Sequence, residues 1–240
     1  MSQSIVVDFS KPVPLFPLGS TVLLPHAVQG LHIFELRYRQ MVEACLADAQ
    51  GGSLLKARPI AMATMHEMVS ARGKSNTALR EAVCVGQIVQ HQRLQDGRHT
   101  ILLHGVCRAT IVSIEEPDGT RLFRQARLKP MESAKHPMPP MPEARRVLKQ
   151  LLQRPLVQRL ASVKSVSAWV EREDVPTHAV VELVGSALIK DEALRYALLA
   201  CEDPWERARM VARTIQGLEA VVAGADAQDS RSWPKGLSWN

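Results

Sequence analysis

The hydrophobic positions change period along the chain. Between Phe34 and Ala49 they fall at Phe34, Tyr38, Met41, Val42, Cys45 and Leu46, one face of a helical repeat, with Glu35, Arg37, Arg39 and Glu43 among the other positions. This predicts a helix, with Glu35 and Arg39 as an i,i+4 pair of the favourable orientation. Around it the apolar runs are short. Val13–Phe16, Thr21–Leu24 and Pro59–Thr64 are each bounded by breakers or polar residues and predict strands. Ala82–Leu94 and Arg98–Glu115 are longer β-compatible runs, joined through Gln95-Asp96-Gly97-Arg98. Asp-Gly between such runs predicts a tight turn, because glycine takes positive φ without steric penalty. Gly86 and Gly105 interrupt the two runs, which predicts the bulges or sharp bends that a small barrel requires. Arg121–Lys129 is expected to be the closing strand. Residues 66–80 keep no stable period and are expected to form a mobile loop.

Beyond residue 130 the period becomes helical. The segment KPMESAKHPMPPMPE, with Pro130, Pro137, Pro139, Pro140 and Pro142, cannot continue a ladder or a helix interior and is read as an extended linker over 131–142. Glu143–Leu160 carries Val147, Leu148, Leu151, Leu152 and Leu156 at helical spacing, and Pro155 should kink or break it. Ala179–Ile189 is apolar-rich. Asp191 is expected to cap a helix through Leu194, Leu198 and Cys201. Asp203-Pro204-Trp205-Glu206 combines a capping carboxylate, proline at the first helical position and glutamate three residues after the cap. That helix carries Val211, Ile215, Leu218 and Val222, and Gly224 is its expected stop. Residues 225–240 are polar and irregular, with Trp233 and Trp239 stranded in them. The predicted organisation is thus a strand-rich unit over 1–130, the linker, a helical unit over 143–224 and a tail.

Composition narrows the function. The chain has 240 residues, 46% hydrophobic and 22% charged, which is globular and long enough for a sizeable core. Cys45, Cys84, Cys107 and Cys201 form no CxxC pair, so neither a disulfide scaffold nor a cysteine zinc site is expected, and free thiols suit the cytoplasm. The N-terminus has no signal-peptide pattern. Pro12–Phe34 is 23 residues without an acidic or basic side chain, long enough to span a bilayer, but its four prolines and two glycines read as strands and turns instead. Net charge is +6. Residues 1–130 hold 15 basic and 10 acidic residues, with a basic run at Arg121, Arg124, Arg127 and Lys129. Such a run attracts nucleic acid or acidic protein, or is simply a solvated strand face.

Enzyme chemistry finds little footing. Gly73-Lys74-Ser75 ends like a phosphate loop, but Met68 stands where the leading glycine belongs. His91, His99 and His104 fall on the predicted hairpin, and His91 and His99 face each other across its turn, yet no third metal ligand is evident. Lys235 and Ser238 lie close together, in the tail, where nothing desolvates the lysine. No catalytic residue, cofactor or metal is expected.

One block has a specific likeness. Pro14-Leu15-Phe16-Pro17-Leu18-Gly19, then Leu24-Pro25, then Leu31-His32-Ile33-Phe34-Glu35-Leu36-Arg37-Tyr38, resembles the signature that opens the N-terminal, substrate-binding domain of Lon proteases. Gly86, Asp96-Gly97-Arg98, Gly105 and Arg108 fall where that family has its hairpin glycines and basic residue, and Ala197-Leu198-Leu199, Asp203 and Arg207 resemble its helical part more loosely. The likeness covers roughly residues 12–224. It departs at Pro59-Ile60-Ala61-Met62-Ala63, which lacks the family's glycine, and at 66–80. The resemblance implies an α+β fold, a PUA-like β-barrel with an inserted helix followed by a C-terminal helical bundle.

It also implies a function. In full-length Lon this unit helps to recognise unfolded or tagged proteins, while the ATPase and the peptidase follow later in the chain. The expectation is a non-catalytic module like the stand-alone Lon-domain proteins of bacteria. Its partners would be unfolded or tagged protein clients, with a protease or chaperone as companion, and neither nucleic acid nor membrane. The residues expected to contact peptide are His32, Phe34, Glu35, Arg37, Tyr38 and Arg108. Leu15, Phe16, Leu18, Phe34 and Tyr38 also have a purely structural use, in filling the barrel and docking the helix. Glu35 and Arg37 either pair with each other or line a peptide groove. The rival function is RNA binding by the basic first half, although that half holds only five aromatic residues for base stacking.

Overall fold

Two long strands organise the first half of the molecule. A computed structural model describes residues 5–49, 52–69, 75–132 and 138–227, and shows β4 (Ser75–Arg93) folded back antiparallel on β5 (His99–Glu115). The turn is where Asp96-Gly97 predicts it. Gly97 has φ +79°, Leu94 N–H donates to Arg98 O at 2.8 Å, and Asp96 Oδ1 accepts from Arg98 N–H at 3.0 Å. The other strands are β1 (Val13–Leu18), β2 (Val28–Ile33), β3 (Ile60–Val69) and β6 (Gln125–Pro130). β5, β4, β3, β1 and β6 follow one another, and β6 returns to β5, so five strands close a barrel. The β1–β3 pair is parallel and the rest are antiparallel. β2 stands outside the closure, on the first half of β5, with Val28 opposite His104 and Ile33 opposite His99.

Alternate residues of these strands serve two cores. Val13, Leu15, Ala61, Ala63, Val83, Val85, Ala109 and Ala126 fill the barrel, and so many alanines suit the narrow bore of five strands. Phe16, Met62, Cys84, Ile88 and Leu103 belong to a second buried cluster, shared with α1 (Leu36–Leu46) and continuing into the helices of the second half. Phe16 and Tyr38 meet edge to face at 4.6 Å between ring centres. Register shifts at Val85/Gly86 bend the β4–β5 ribbon, as strand glycines predict.

The second half is helical: α2 (Pro142–Leu152), α3 (Pro155–Gln158), α4 (Ala161–Glu171), α5 (Thr177–Leu188), α6 (Glu192–Ala200) and α7 (Pro204–Ala227). Pro155 breaks the predicted long helix and starts α3. Asp191 Oδ1 accepts from Leu194 N–H at 2.7 Å and Asp203 Oδ1 from Trp205 N–H at 2.8 Å, the expected caps. Glu206 does not complete the capping box; it binds Arg209 at 2.6 Å. The barrel is tied to the helices at Ala82, whose N–H donates to Tyr196 Oη at 3.0 Å, with Arg80 over the Tyr196 ring.

Several expectations are corrected. Thr21–Leu24 is not a strand; Val22, Leu23 and Leu24 are buried in the shared core without a ladder. Residues 66–80 are not a loop throughout: β3 and β4 extend into them, with His66 opposite Ala78 and Val69 opposite Ser75. The pairing of already long neighbouring strands carries this polar stretch. Helix α7 runs through Gly224, which does not take the positive φ of a helix-ending glycine. Phe34 does not dock the helix; it is exposed ahead of it. Residues 133–137 of the linker, 70–74 of the loop, and the tail residues Trp233, Lys235, Ser238 and Trp239 lie outside the described residues.

Gly105 is where the barrel wall and the chain before β2 approach most closely. A Cβ there would collide with the Leu24 carbonyl oxygen and sit 3.0 Å from Cys84 Sγ. Gly105→Ala is expected to destabilise the protein by about 3 kcal/mol, as forced overpacking does. Gly119→Ala, with nothing within 4 Å, should change stability little. Urea unfolding of both variants measures the contrast.

Candidate functional site

The six expected contact residues separate into three groups. His32, Phe34, Glu35 and Arg37 lie on one exposed strip that runs from the end of β2 into the first turn of α1. Tyr38 is buried beneath it, at 7% exposure, with the Arg37 guanidinium 4.5 Å above its ring. Burial raises the Tyr38 hydroxyl pKa above its ordinary value. Arg108 is elsewhere. It is 1% exposed inside the molecule and touches no surface a peptide could reach.

The strip is more apolar than its sequence suggested. Phe34 is 62% exposed and Leu36, which sequence reasoning passed over, is 69% exposed. Val28 is 55% exposed at the other end of β2. A helical pattern assigned Phe34 to the core, but the helix starts at Leu36, so Phe34 never enters its repeat. Within β2, residues 28, 30 and 32 are exposed and Ile33 is buried, so one face of the strand is open. Among the described residues β2 pairs only with β5, and its second edge is bare. Gln29 Nε2 donates to Gly30 O at 3.0 Å along it. His32 stacks near Phe34, with 6.4 Å between ring centres, and Arg98 Nη1 lies 3.3 Å from His32 Nε2. Glu35 and Arg37 do pair, at 2.8 Å and 2.7 Å, on the surface, so Arg39 is left without the expected Glu35 partner.

Arg108 belongs to a buried charge network between barrel and helices. Its Nη2 donates to Glu182 Oε2 at 2.6 Å, its Nη1 to Glu132 Oε1 at 3.0 Å and its Nε to Leu199 O at 3.0 Å. Arg207 Nε lies 2.9 Å from Glu182 Oε1 and Nη2 is 3.2 Å from Glu132 Oε1; its Nη1 donates to Cys201 O and Glu202 O. The 2.9 Å approach is an ion pair whose N–H is not aligned on the oxygen. Burial raises Glu182 above the ordinary carboxyl range, against the pull of the two guanidiniums. Beside this network His26, at φ 64°, sets its ring 5.6 Å from that of His178. Burial, then His178, His104, Arg108 and Arg207, drive His26 down to about 4. Burial lowers His178 and His104 as well.

The other candidates have structural uses. His91 Nε2 and His99 Nδ1 share a 2.8 Å hydrogen bond across the turn, and His99 Nε2 is 3.5 Å from Glu43. Among the described residues no group of three or more His, Cys, Asp or Glu side chains converges as a metal site. Burial pushes the Cys45 and Cys107 thiols up to about 12 and Cys84 well above its usual value, so these three are poor nucleophiles. In the basic run, Arg121 bonds to carbonyls of its own loop, Arg124 pairs with Glu116 at 2.9 Å and Arg127 with Glu115 at 3.5 Å. These pairings occupy three of the four cations of the run, and the first half keeps its excess of basic residues. No helix among the described residues is long and apolar enough to cross a membrane.

A closed five-strand mixed barrel followed by this helical array is the architecture of Lon N-terminal domains. The N-terminal domain of a Mycobacterium avium complex Lon protease superposes with a TM-score of 0.61, at 18% identity over 86% of this chain and 98% of that one. A Lon N-terminal domain protein from Xanthomonas campestris gives a TM-score of 0.52, at 22% identity over 84% and 96%. No curated protein matches the chain. Residues 12–217 match the model of the ATP-dependent protease La (LON) substrate-binding domain, and the chain belongs to that family. That domain is not itself the peptidase or the ATPase of Lon.

Two outcomes follow from the buried network. Arg108→Met leaves Arg207 alone against Glu182 and Glu132, one buried negative charge unmatched, and is expected to cost about 3 kcal/mol, with Arg108→Lys recovering only part in urea unfolding. Between pH 6.5 and about 4 the unfolded chain protonates its histidine at position 26 while the folded chain does not, so stability falls as pH falls through that window. The loss from His26 is on the order of 3 kcal/mol at most. His26→Asn keeps a residue that tolerates positive φ and should reduce the slope of melting temperature against pH over that range, with His104 and His178 supplying the rest.

Proposed function

We propose that this chain is a non-catalytic module that captures unfolded or tagged polypeptide and acts as an adaptor for a protease. The observation that carries this reading is the exposed apolar strip of Val28, Phe34 and Leu36 beside the bare edge of β2. An extended segment has unpaired backbone groups and exposed apolar side chains. A free strand edge offers the first a ladder, and the strip offers the second a surface. Family membership supports a polypeptide as ligand, since the family's domain binds the substrates of Lon. The four free cysteines suit a reducing compartment, and we place the protein in the cytoplasm.

The test is fluorescence anisotropy with a labelled, permanently unfolded protein. Wild type should bind. The double variant Phe34→Ser, Leu36→Ser should bind at least tenfold more weakly with an unchanged melting temperature, because both side chains are exposed. Equal binding by wild type and variant would remove the strip from the site, and no binding by wild type would end the proposal.

A further inference from the structure

We infer that the captured segment joins β2 as a further antiparallel strand, hydrogen-bonded to Val28, Gly30 and His32, and that Gln29 must release the Gly30 carbonyl to admit it. This deepens the reading above and rests on it. The ligand class narrows to extended segments with apolar residues at every second position. Those residues must carry free backbone N–H groups, which excludes proline among them.

The register decides which backbone groups of β2 are on offer. Gly105 N–H donates to Ala27 O at 2.9 Å, and Val28 stands opposite His104. From there an antiparallel ladder alternates. Gln29, Leu31 and Ile33 turn their N–H and C=O groups towards β5, and Val28, Gly30 and His32 turn theirs away. The far side of β5 has the same parity. Leu94 N–H donates to Arg98 O, so Arg98, Thr100 and Leu102 face β4 and leave His99, Ile101 and Leu103 to face β2. The outward residues of β2 are also its exposed ones, while Gln29, Leu31 and Ile33 are half-buried or buried. Proline and lysine, the residues that commonly close an edge, do not occur in β2.

Gln29 marks the central place. Its Nε2 donates to Gly30 O at 3.0 Å, where the N–H of an added strand would donate. A ligand N–H replaces this amide bond for bond, so releasing the side chain costs little. Directly opposed residues of an antiparallel pair share a face of the sheet. The ligand residues bonded to Val28, Gly30 and His32 therefore lay their side chains on the exposed face that leads on to Phe34, and these are the positions that need to be apolar. The opposite orientation would put the bonded residues on the other face, and antiparallel pairing is also the more stable per residue.

The experiment measures, by fluorescence anisotropy on the full chain, a labelled peptide that alternates valine and threonine between terminal lysines. Two N-methylated forms are measured beside it. Methylation of the valines should weaken binding by about tenfold or more, because each loses a ladder bond, and methylation of the threonines should leave it unchanged. Gly30→Pro removes an outward N–H and no bond to β5, so it should bind about tenfold more weakly and keep the melting temperature. Gly30→Ala keeps the N–H, and its Cβ would lie 3.6 Å from Leu102 Cδ2 in ordinary contact, so it should bind as wild type does. Gln29→Ala lacks the competing amide and should bind about threefold more tightly. Equal affinity for the three peptides, or unchanged binding by Gly30→Pro, would overturn strand addition and leave capture by the apolar strip standing. Loss confined to the methylated threonines would overturn the antiparallel register. A wild-type dimer that Gly30→Pro splits would assign the edge to a second copy of the chain and overturn the inference. Wild type that binds the unfolded protein but not the unmethylated peptide would overturn this inference alone, and failure with both probes would overturn the proposed function as well.

Discussion

Glu182 sits inside α5 with a guanidinium against each carboxylate oxygen, Arg108 from β5 and Arg207 from α7, and each arginine also reaches Glu132. None of Glu182, Arg108 and Arg207 is more than 1% exposed. Buried charges are tolerated only when matched, and here the match requires a strand, two helices and the segment after β6 to hold one arrangement. An apolar contact between the same elements would allow sliding; four charged groups at hydrogen-bond distance do not. The barrel and the helices share a hydrophobic cluster, but this network sets their register. Three half-buried histidines beside it, His26, His104 and His178, make the same junction sensitive to acid, because burial disfavours the protonated form of each.

That register decides which edge stays open. β5 is long enough to carry two neighbours on one side, β6 along its second half and β2 along its first. Closure through β6 removes the edges of five strands, as barrels do. β2 is the remainder, and a bare edge is an aggregation hazard that proteins ordinarily blunt. This one is kept to six residues, and Gln29 covers the Gly30 carbonyl. The apolar strip beside it is not blunted. Val28, Phe34 and Leu36 stay exposed where charges would have been the protective choice.

Much of this was legible in the residues. The Asp96-Gly97 turn, the break at Pro155 and the caps Asp191 and Asp203 depend on local chemistry, and each lies where that chemistry places it. Strand β1 and the stretches 60–64 of β3 and 82–88 of β4 are buried on both faces and show no alternation, while the polar ends of β3 and β4 across 66–80 carry no apolar pattern of their own. β2 has the reverse problem: five of its six residues keep some exposure, so it carries too little hydrophobic signal. Arg108 looked like a surface cation because its partner Glu182 is 74 residues away and nothing local announces the pair. The strip was legible only in part. His32, Phe34, Glu35, Leu36, Arg37 and Tyr38 stand together in one motif, but the exposure of Phe34 and Leu36 depends on where α1 starts, which the apolar spacing does not fix.

The start of α1 breaks a local rule, which bears on how the strip should be read. Glu35 occupies the N-cap with extended backbone, and its carbonyl accepts from Tyr38 and Arg39 N–H at 3.0 Å and 2.9 Å. Its carboxylate makes no cap; it is turned outward onto Arg37. Glutamate is not a preferred capping residue, so α1 goes without the cap that Ser, Thr, Asp or Asn would supply, worth about 1 kcal/mol. Helix stability alone would favour one of those residues here. The observed choice leaves Phe34 and Leu36 uncovered on either side of Glu35 and sets the Arg37 guanidinium 4.5 Å over the Tyr38 ring. Departures of this kind from the locally best arrangement concentrate where a surface is used, and this one falls where the open edge and the apolar strip meet.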